Sequence, residues 1–140
     1  MIIMAIDYGD VRTGVAVCDK FEMLASPVCV ITQRNAEKLI EEISELAKQY
    51  KAELLVVGLP KNMDSSIGSR AEKCTEFAQM LSQATGIDFV MRDERLSTVS
   101  AHNALNNTNT RGKKRKSVVD QVAAVMILQD YIDYRKNRGI

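Results

Sequence analysis

The opening of the chain restricts the fold more than any other stretch of the sequence. Residues 2–6 form an unbroken apolar run that begins with two β-branched isoleucines, which predicts a buried β-strand. The run stops at Asp7, glycines at positions 9 and 14 supply turn chemistry, and a β-compatible apolar run resumes at residues 15–18. This pattern predicts a β-hairpin that presents the Asp7 carboxylate at its rim.

Two interpretations of Asp7 follow from the hairpin alone. Because glycine has no Cβ, the backbone at Gly9 can closely approach a phosphate or a metal-bound ligand, so the strand-end acid is a candidate for phosphate chemistry. Alternatively, Asp7 merely ends the strand by forming an Asx-turn, as many loop aspartates do. The hairpin by itself favours neither interpretation.

The middle of the chain alternates between strand and helix patterns. A third strand over residues 28–31 is entered through Pro27, and apolar positions at helical spacing from residue 39 to residue 50 predict an amphipathic helix capped by Asn35. Residues 54–58 are apolar without alternation, which is typical of a strand covered on both faces in a parallel sheet. We expect this strand to lie beside the first.

A second helix and a fifth strand follow. A loop over residues 59–68 precedes an amphipathic helix, which begins at a capping box of Ser69 and Glu72 and ends at Gly86. Residues 87–92 are expected to form the fifth strand. Like the first strand, it is followed by carboxylates.

The C-terminal part of the sequence predicts two further helices. Ser97 or Thr98 can cap a short one, and Ser117 begins the last, which is apolar nearly all round and is therefore expected to pack into the domain. Between them, residues 111–116 hold five positive charges in six residues and are here called the basic run. We expect the basic run to form a mobile loop.

Together the elements predict one α/β domain over residues 1–140, with a five-stranded mixed sheet and helices on both faces. The 19 basic and 18 acidic residues give a formal net charge of +1, so any nucleic-acid binding depends on local patches. The three cysteines lack zinc-ligand spacing, the N-terminus lacks a basic signal-peptide region, and no apolar stretch approaches the roughly 18 residues that span a bilayer. These features predict a cytoplasmic protein with reduced thiols and no membrane partner.

Carboxylates from distant parts of the chain converge in this arrangement. Asp7 and Glu94 follow strands whose carboxyl ends meet at one edge of the sheet, where ligands bind in open α/β folds. Asp120, in the first turn of a helix that begins at Ser117, can point across that edge. Three acids without a cation would repel one another, so they predict a divalent metal site. Oxygen ligands favour Mg²⁺ or Mn²⁺, and two such ions about 4 Å apart can activate a water and stabilise the leaving oxygen of a phosphodiester.

Each of these groups also has a structural interpretation. Glu94 can form a surface ion pair with Arg92 or Arg95, and Asp120 can be the acid of a capping box at Ser117. The basic run is compatible with an ordinary solvated loop. Beside an acid cluster, however, it would offset the repulsion felt by a phosphate backbone.

Four motifs, in order along the whole chain, resemble those of the YqgF/RuvX family. They are DYGxxRxGVA at residues 7–16, VGLPKNMD at 57–64, DERLST at 93–98 and DxxAAxxILQ at 120–129. Members of that family have an RNase H-like fold and are regarded as pre-16S rRNA nucleases or Holliday junction resolvases. The resemblance therefore implies an RNase H-like fold, which agrees with the order of strands and helices predicted above.

The resemblance also implies roles for particular residues. It identifies Asp7, Glu94 and Asp120 as the catalytic, metal-binding acids, with Asp93 directly before Glu94 in the same motif. The candidates for phosphate contacts are cations of these motifs and of the basic run: Arg12, Arg95, Lys113, Lys114, Arg115 and Lys116.

The activity implied is hydrolysis of phosphodiester bonds in structured nucleic acid with two Mg²⁺ or Mn²⁺ ions. The preferred substrate is pre-16S rRNA, whose 5′ end is processed during ribosome biogenesis. One alternative is resolution of four-way DNA junctions, which would call for a homodimer that cuts two strands symmetrically. Another alternative is a nucleic-acid-binding module without catalysis. An actin-like or sugar-kinase ATPase is disfavoured, because such a protein would need two domains of this kind and the chain supplies one. Two departures from the family pattern, Val11 for the usual Lys or Arg and Ser65 for a common Gly, leave the acids untouched.

Overall fold

The computed structural model of the chain describes residues 1–59, 69–93 and 112–137, with the side chains of residues 1–58, 72–92 and 122–137. The loop predicted over residues 59–68 begins one residue too early, because Leu59 is a strand residue. The rest of that loop and the short helix predicted after Ser97 or Thr98 lie outside the described residues. The capping role predicted for the Ser69 side chain lies outside them too.

The described part of the chain forms five strands and three helices. In chain order they are β1 (Ile3–Asp7), β2 (Arg12–Cys18), β3 (Ala25–Thr32), α1 (Ala36–Tyr50), β4 (Leu54–Leu59), α2 (Ser69–Thr85), β5 (Phe89–Asp93) and α3 (Gly112–Asn137). The strands form one sheet in the order β3-β2-β1-β4-β5, in which β1, β4 and β5 are parallel and β2 is antiparallel to both of its neighbours. The predicted mixed sheet and the predicted pairing of β4 with β1 are confirmed.

Helix boundaries follow from local backbone chemistry. The Asn35 side chain accepts a hydrogen bond of 3.0 Å from the Lys38 N–H and so caps the start of α1. After α2, Gly86 adopts a positive φ of 73°, which glycine tolerates without steric cost, and its N–H donates to the Ser82 carbonyl oxygen at 2.8 Å. Both predicted boundaries are confirmed.

Alternation along β1 divides its side chains between two buried cores. Met4 and Ile6 pack with residues of α1 and α2, whereas Ile3 and Ala5 pack with residues of α3. The helical residues of the first core include Leu39, Ile43, Phe77 and Leu81, and those of the second include Ala124, Ile127, Leu128 and Ile132. Each such aliphatic side chain contributes about 1.5 to 3 kcal/mol when fully buried. The prediction of helices on both faces is confirmed.

Helix α3 runs in the direction opposite to β1. Near the end of the helix, the Arg135 Nε donates to one carboxylate oxygen of Glu22, and the other oxygen accepts a hydrogen bond from the amino group of Met1. The C-terminal end of α3 therefore lies at the amino end of β1, and its N-terminal part extends toward the carboxyl edge of the parallel strands. No helix in the described ranges has an apolar stretch long enough to cross a membrane.

Helix α3 begins earlier than the sequence predicted. Its first residue is Gly112, so the prediction of a mobile loop over the basic run is wrong for residues 112–116, which are helical. Lysine and arginine are good helix formers, and this propensity outweighs the lack of apolar residues there. Ser117 lies inside the helix, so it does not begin α3, and Asp120 lies beyond the first turn. The predicted capping box of Ser117 and Asp120 is therefore wrong as well.

Strand β3 is longer than predicted. It begins at Ala25 rather than after Pro27, and Pro27 pairs with Ala16 of β2. An edge strand can include proline because the missing N–H need not face a neighbouring strand. The register shifts opposite Val15 and Ala16, which accommodates one additional residue in β3.

Candidate active site

Strand β1 delivers the Asp7 side chain to the carboxyl edge of the sheet, on the face covered by α3. Asp7 is the last residue of the strand and is half-buried. Because side chains alternate along a strand, Asp7 shares the face of Ile3 and Ala5, which pack in the core formed with α3. The predicted strand-end position of this acid is confirmed.

Glycines flank Asp7 on both neighbouring strands. Gly14 of β2 is paired directly with Asp7 in the antiparallel register. On the other side, Ile6 pairs with Val57, so continuing the parallel register by one residue sets Gly58 beside Asp7. Directly opposed residues of adjacent strands share a face, and glycine contributes no side chain there. Neither neighbouring strand therefore places a side chain directly beside the carboxylate in the plane of the sheet.

The turn after β1 is held by Thr13. The Gly9 N–H donates to the Thr13 Oγ1 at 3.3 Å, and Thr13 is fully buried. An Asx-turn at Asp7 would use this same N–H. The chemical interpretation of Asp7 stays a prediction. A Cβ at position 9 would collide with the Arg12 carbonyl oxygen, so glycine is required for this close approach.

Arg12 lies on the same face of the sheet as Asp7. It is two residues from Gly14 and four from Ala16 along β2, and Ala16 packs in the core formed with α3. Residues that are two or four positions apart along a strand point to the same face of the sheet. The structure therefore brings together one predicted acid and one predicted phosphate-binding cation, and both are half-buried.

The helical backbone carries position 120 to the level of this edge. Fifteen residues separate Asp120 from Arg135, which corresponds to about 22 Å of helix. Six residues separate Met1 from Asp7, which corresponds to about 20 Å of strand. Because Arg135 lies at the level of Met1 and the two elements run in opposite directions, residue 120 of α3 lies at about the height of Asp7.

The end of β5 carries the remaining predicted residues. Glu94 and Arg95 lie outside the described residues, as does the side chain of Asp93. Val90 packs in the core formed with α3, and the Arg92 Nε donates to the Asp130 Oδ2 of that helix at 2.8 Å. Arg92 thus has a carboxylate partner already, which weakens the interpretation of Glu94 as its ion-pair partner.

Within the side chains that the structure describes, no three His, Cys, Asp or Glu residues are grouped as metal ligands. Asp7 is the one predicted ligand whose side chain is described, so the three-acid site stays a prediction. The role of Gly58 as a neighbour of Asp7 was missed in the sequence. The sequence does show a glycine directly after the apolar residues of β4. Only the register of the sheet, however, places Gly58 beside Asp7.

Sequence relatives of this chain are nucleases by name. The RuvX family, described as Holliday junction resolvase, matches residues 1–134. A protein of Halothermothrix orenii named "Putative pre-16S rRNA nuclease" is 45% identical over 135 residues, which cover 96% of each chain. A protein of the same name from Agathobacter rectalis is 39% identical over 140 residues, which cover 98% of each.

Solved structures show the same fold. The RuvC of T. thermophilus, in complex with a Holliday junction substrate, superposes with a TM-score of 0.63 at 12% identity and covers 98% of this chain and 96% of its own. The fowlpox virus Holliday junction resolvase gives a TM-score of 0.54 at 13% identity, with 96% and 99% covered. The predicted RNase H-like fold is confirmed. Because the family match spans nearly the whole chain and relatives above 30% identity cover it almost completely, this protein belongs to the RuvX family.

Proposed function

We propose that this protein is a metal-dependent endonuclease that hydrolyses phosphodiester bonds in structured nucleic acid, with the 5′ end of pre-16S rRNA as its substrate. Family membership makes it a nuclease, and the relatives named for pre-16S rRNA support this substrate. One structural observation carries the proposal: Asp7 stands at the carboxyl edge of three parallel strands, between two glycines and beneath α3. Ribosome biogenesis as the setting also agrees with the cytoplasmic location predicted from the sequence.

Asp7, Glu94 and Asp120 would hold the metal. The fit of Asp7 is good, because its oxygens are the ligands that Mg²⁺ and Mn²⁺ prefer and the flanking glycines leave room for ions beside it. Glu94 is taken from the family resemblance, and Val90 and Arg92 of β5 contact the α3 side of the sheet just before it in the sequence. When bound, two such ions supply an activated water and stabilise the oxygen that leaves a phosphodiester.

The chain's own residues would position the substrate. Arg12, on the face of Asp7 and fixed by the Gly9 turn, would contact a phosphate oxygen near the bond that is cut. Arg95 and the cations of the basic run would contact phosphates farther along the strand. Residues 112–116 of the basic run lie in the N-terminal part of α3, and the direction of α3 brings that part toward the carboxyl edge of the sheet.

Resolution of four-way DNA junctions is the alternative activity. It is favoured by the likeness of the fold to a resolvase solved with a Holliday junction. Symmetric cutting of two strands would require a homodimer, and a protein that stays monomeric on its substrate would not perform it. A module that binds nucleic acid without cleaving it is the non-enzymatic alternative.

Cleavage of both substrates side by side tests the proposal. A 5′-extended 16S rRNA fragment and a four-way DNA junction are incubated with the protein and Mg²⁺, Mn²⁺ or EDTA. We expect metal-dependent cleavage of the RNA, none in EDTA, and weaker or no cleavage of the junction. Symmetric cutting of the junction alone would favour the resolvase, whereas binding without cleavage under all conditions would favour the non-catalytic module.

A further inference from the structure

We propose a second substrate-binding site in a cavity beside Tyr8, which holds a phosphate of the unpaired strand next to the bond that is cut. The cavity has a volume of about 300 Å³ and is lined by residues of the β1–β2 turn, of the segment between β3 and α1, and of α1 and α2. This inference rests on the proposed function, and it adds a strand path that none of the predicted site residues describes.

The cavity adjoins the candidate active site across the edge of the sheet. Tyr8 directly follows Asp7, but it packs against the core formed with α1 and α2, so the two side chains lie on opposite faces. The Tyr8 ring stacks on the ring of buried Phe77, with centroids 4.1 Å apart and planes inclined by 6°. This stack fixes Tyr8 as one wall of the cavity. A strand that passes over the carboxyl edge at Asp7 therefore meets the cavity next.

The charge of the lining favours an anion. Arg34 and Lys73 both line the cavity and are exposed, and neither makes an ion pair or side-chain hydrogen bond to another described residue. Asp10 adds one carboxylate, so cations outnumber acids in the lining. Ala36, the first residue of α1, also lines it, and the N–H groups of a first helical turn add positive potential.

The mixture of groups suits a nucleotide better than an isolated ion. Tyr8 and Met80 supply apolar surface for a ribose or base, and the two cations supply phosphate contacts. The volume is at the lower end of the range for small-ligand clefts, about 300 Å³, which suits one nucleotide unit and excludes a duplex. We therefore assign the cavity to an unpaired strand.

The salt dependence of binding tests this site. Binding of a single-stranded oligonucleotide of about 12 nucleotides, as RNA and as DNA, is measured at several salt concentrations in an Asp7→Asn background that prevents cleavage. We expect the double variant Arg34→Ala/Lys73→Ala to flatten the slope of log K against log salt by about 0.7 to 1.4, because each phosphate contact on a single strand contributes about 0.7.

A matched control removes two cations at the opposite edge of the sheet, Lys48→Ala/Lys136→Ala, and should leave the slope unchanged. Both double variants change exposed residues, so melting temperatures within a few degrees of the parent are expected and verify folding. An identical slope for the two double variants would overturn the second site. The proposed function would still stand if the wild-type protein cleaves its substrate. Failure of the parent to bind either strand would overturn the site as well, whereas the proposed function falls only if the wild-type protein cleaves neither structured substrate.

Discussion

The two edges of the sheet use acidic residues in opposite ways. At the amino edge, Glu22 is only 20% exposed, and its carboxylate is bonded by Arg135 at 2.6 Å and by the Met1 amino group at 3.0 Å. At the carboxyl edge, Asp7 stands between two glycines with Arg12 on the same face. At the amino edge the acid is enclosed by cations of its own chain and stabilises the fold, whereas at the carboxyl edge the two neighbouring strands place no side chain directly beside the acid.

The amino edge is a tightly bonded turn. Glu22 adopts a positive φ of 56°, which is unfavourable for a residue with a side chain, and its ion pairs hold it there. Burial alone would raise the pKa of Glu22, but its hydrogen bonds to Arg135 and to the N-terminal amino group lower the pKa below the usual range. In the same turn, backbone hydrogen bonds from Met23 and Phe21 lower the pKa of Asp19.

The largest expected effect comes from Asp7→Asn. The substitution removes a charge from the proposed metal site, so cleavage should fall by more than the roughly 100-fold that outer-shell changes around a metal produce. Nucleic-acid binding should remain, because Arg12 and the basic run are unchanged. Cleavage rate and binding affinity are measured on the same substrate.

The melting temperature supplies the control for Asp7→Asn. The position is half-buried at the rim of the sheet, so the folded state should be retained. Full activity would remove Asp7 from the site. A melting temperature about ten degrees lower, equivalent to a loss of about 3 kcal/mol for a chain of this length, would mean that this acid is structural like Glu22.

The next largest effect is expected at the amino edge, from Arg135→Met. It leaves Glu22 without its closest cation and should lower the free energy of unfolding by about 1.5 to 3 kcal/mol at neutral pH, the usual range for charged hydrogen bonds. Cleavage per folded molecule should not change. Urea denaturation measures the loss, and Lys136→Met, at the exposed neighbouring position, is the control.

The pH dependence of this loss has a definite sign. Because folding lowers the pKa of Glu22, its stabilisation is complete above the ordinary value of 4.5 and disappears as the pH falls through the lower value in the folded protein. The difference between wild type and Arg135→Met should therefore shrink at acidic pH. A difference of equal size at pH 7 and in acid would contradict the ion pair as its source.

Asp120→Asn tests whether α3 contributes a ligand. Since α3 begins at Gly112, no helix cap is lost, and stability without metal should change little or rise as repulsion between carboxylates is relieved. Wild type should gain about 1.4 kcal/mol when Mg²⁺ reaches ten times its dissociation constant, and the variant much less. Asp133→Asn, exposed on the same helix, is the control. If Mg²⁺ stabilises wild type and Asp120→Asn equally and the variant still cleaves, Asp120 is not a metal ligand.

The smallest expected effect belongs to the basic run. Replacing its last four residues, Lys113 to Lys116, by glutamine keeps helix propensity and removes four charges. Successive helical residues are about 100° apart, so about two of the four can follow one strand, and the salt slope on a duplex should flatten by about 1.8. An unchanged slope would mean that the basic run is an ordinary solvated surface that contacts no phosphate. Glutamine at Lys20, Lys48 and Lys136, at the amino edge, is the control.

Local patterns were sufficient to predict the fold. The apolar run before Asp7, the Asn35 cap and the Gly86 stop each depend on neighbouring residues in the chain, and each is confirmed. The predicted start of α3 at Ser117 is wrong because it was based on apolar periodicity. Residues 112–116 contain no apolar residues, and their helix propensity determines the start instead. The pairing of Glu22 with Arg135 joins residues 113 positions apart, and the pairing of Asp7 with Gly58 depends on sheet register, so neither could be predicted from local pattern.

Helix α3 links the amino edge of the sheet to the candidate site. One rigid helix is anchored by Arg135 at its C-terminal end and carries position 120 about 22 Å away at the other. Inserting a single residue between them would advance position 120 by about 1.5 Å and rotate it by about 100° relative to Asp7. The number of residues between positions 120 and 135 therefore fixes both the height and the rotation of position 120 relative to Asp7.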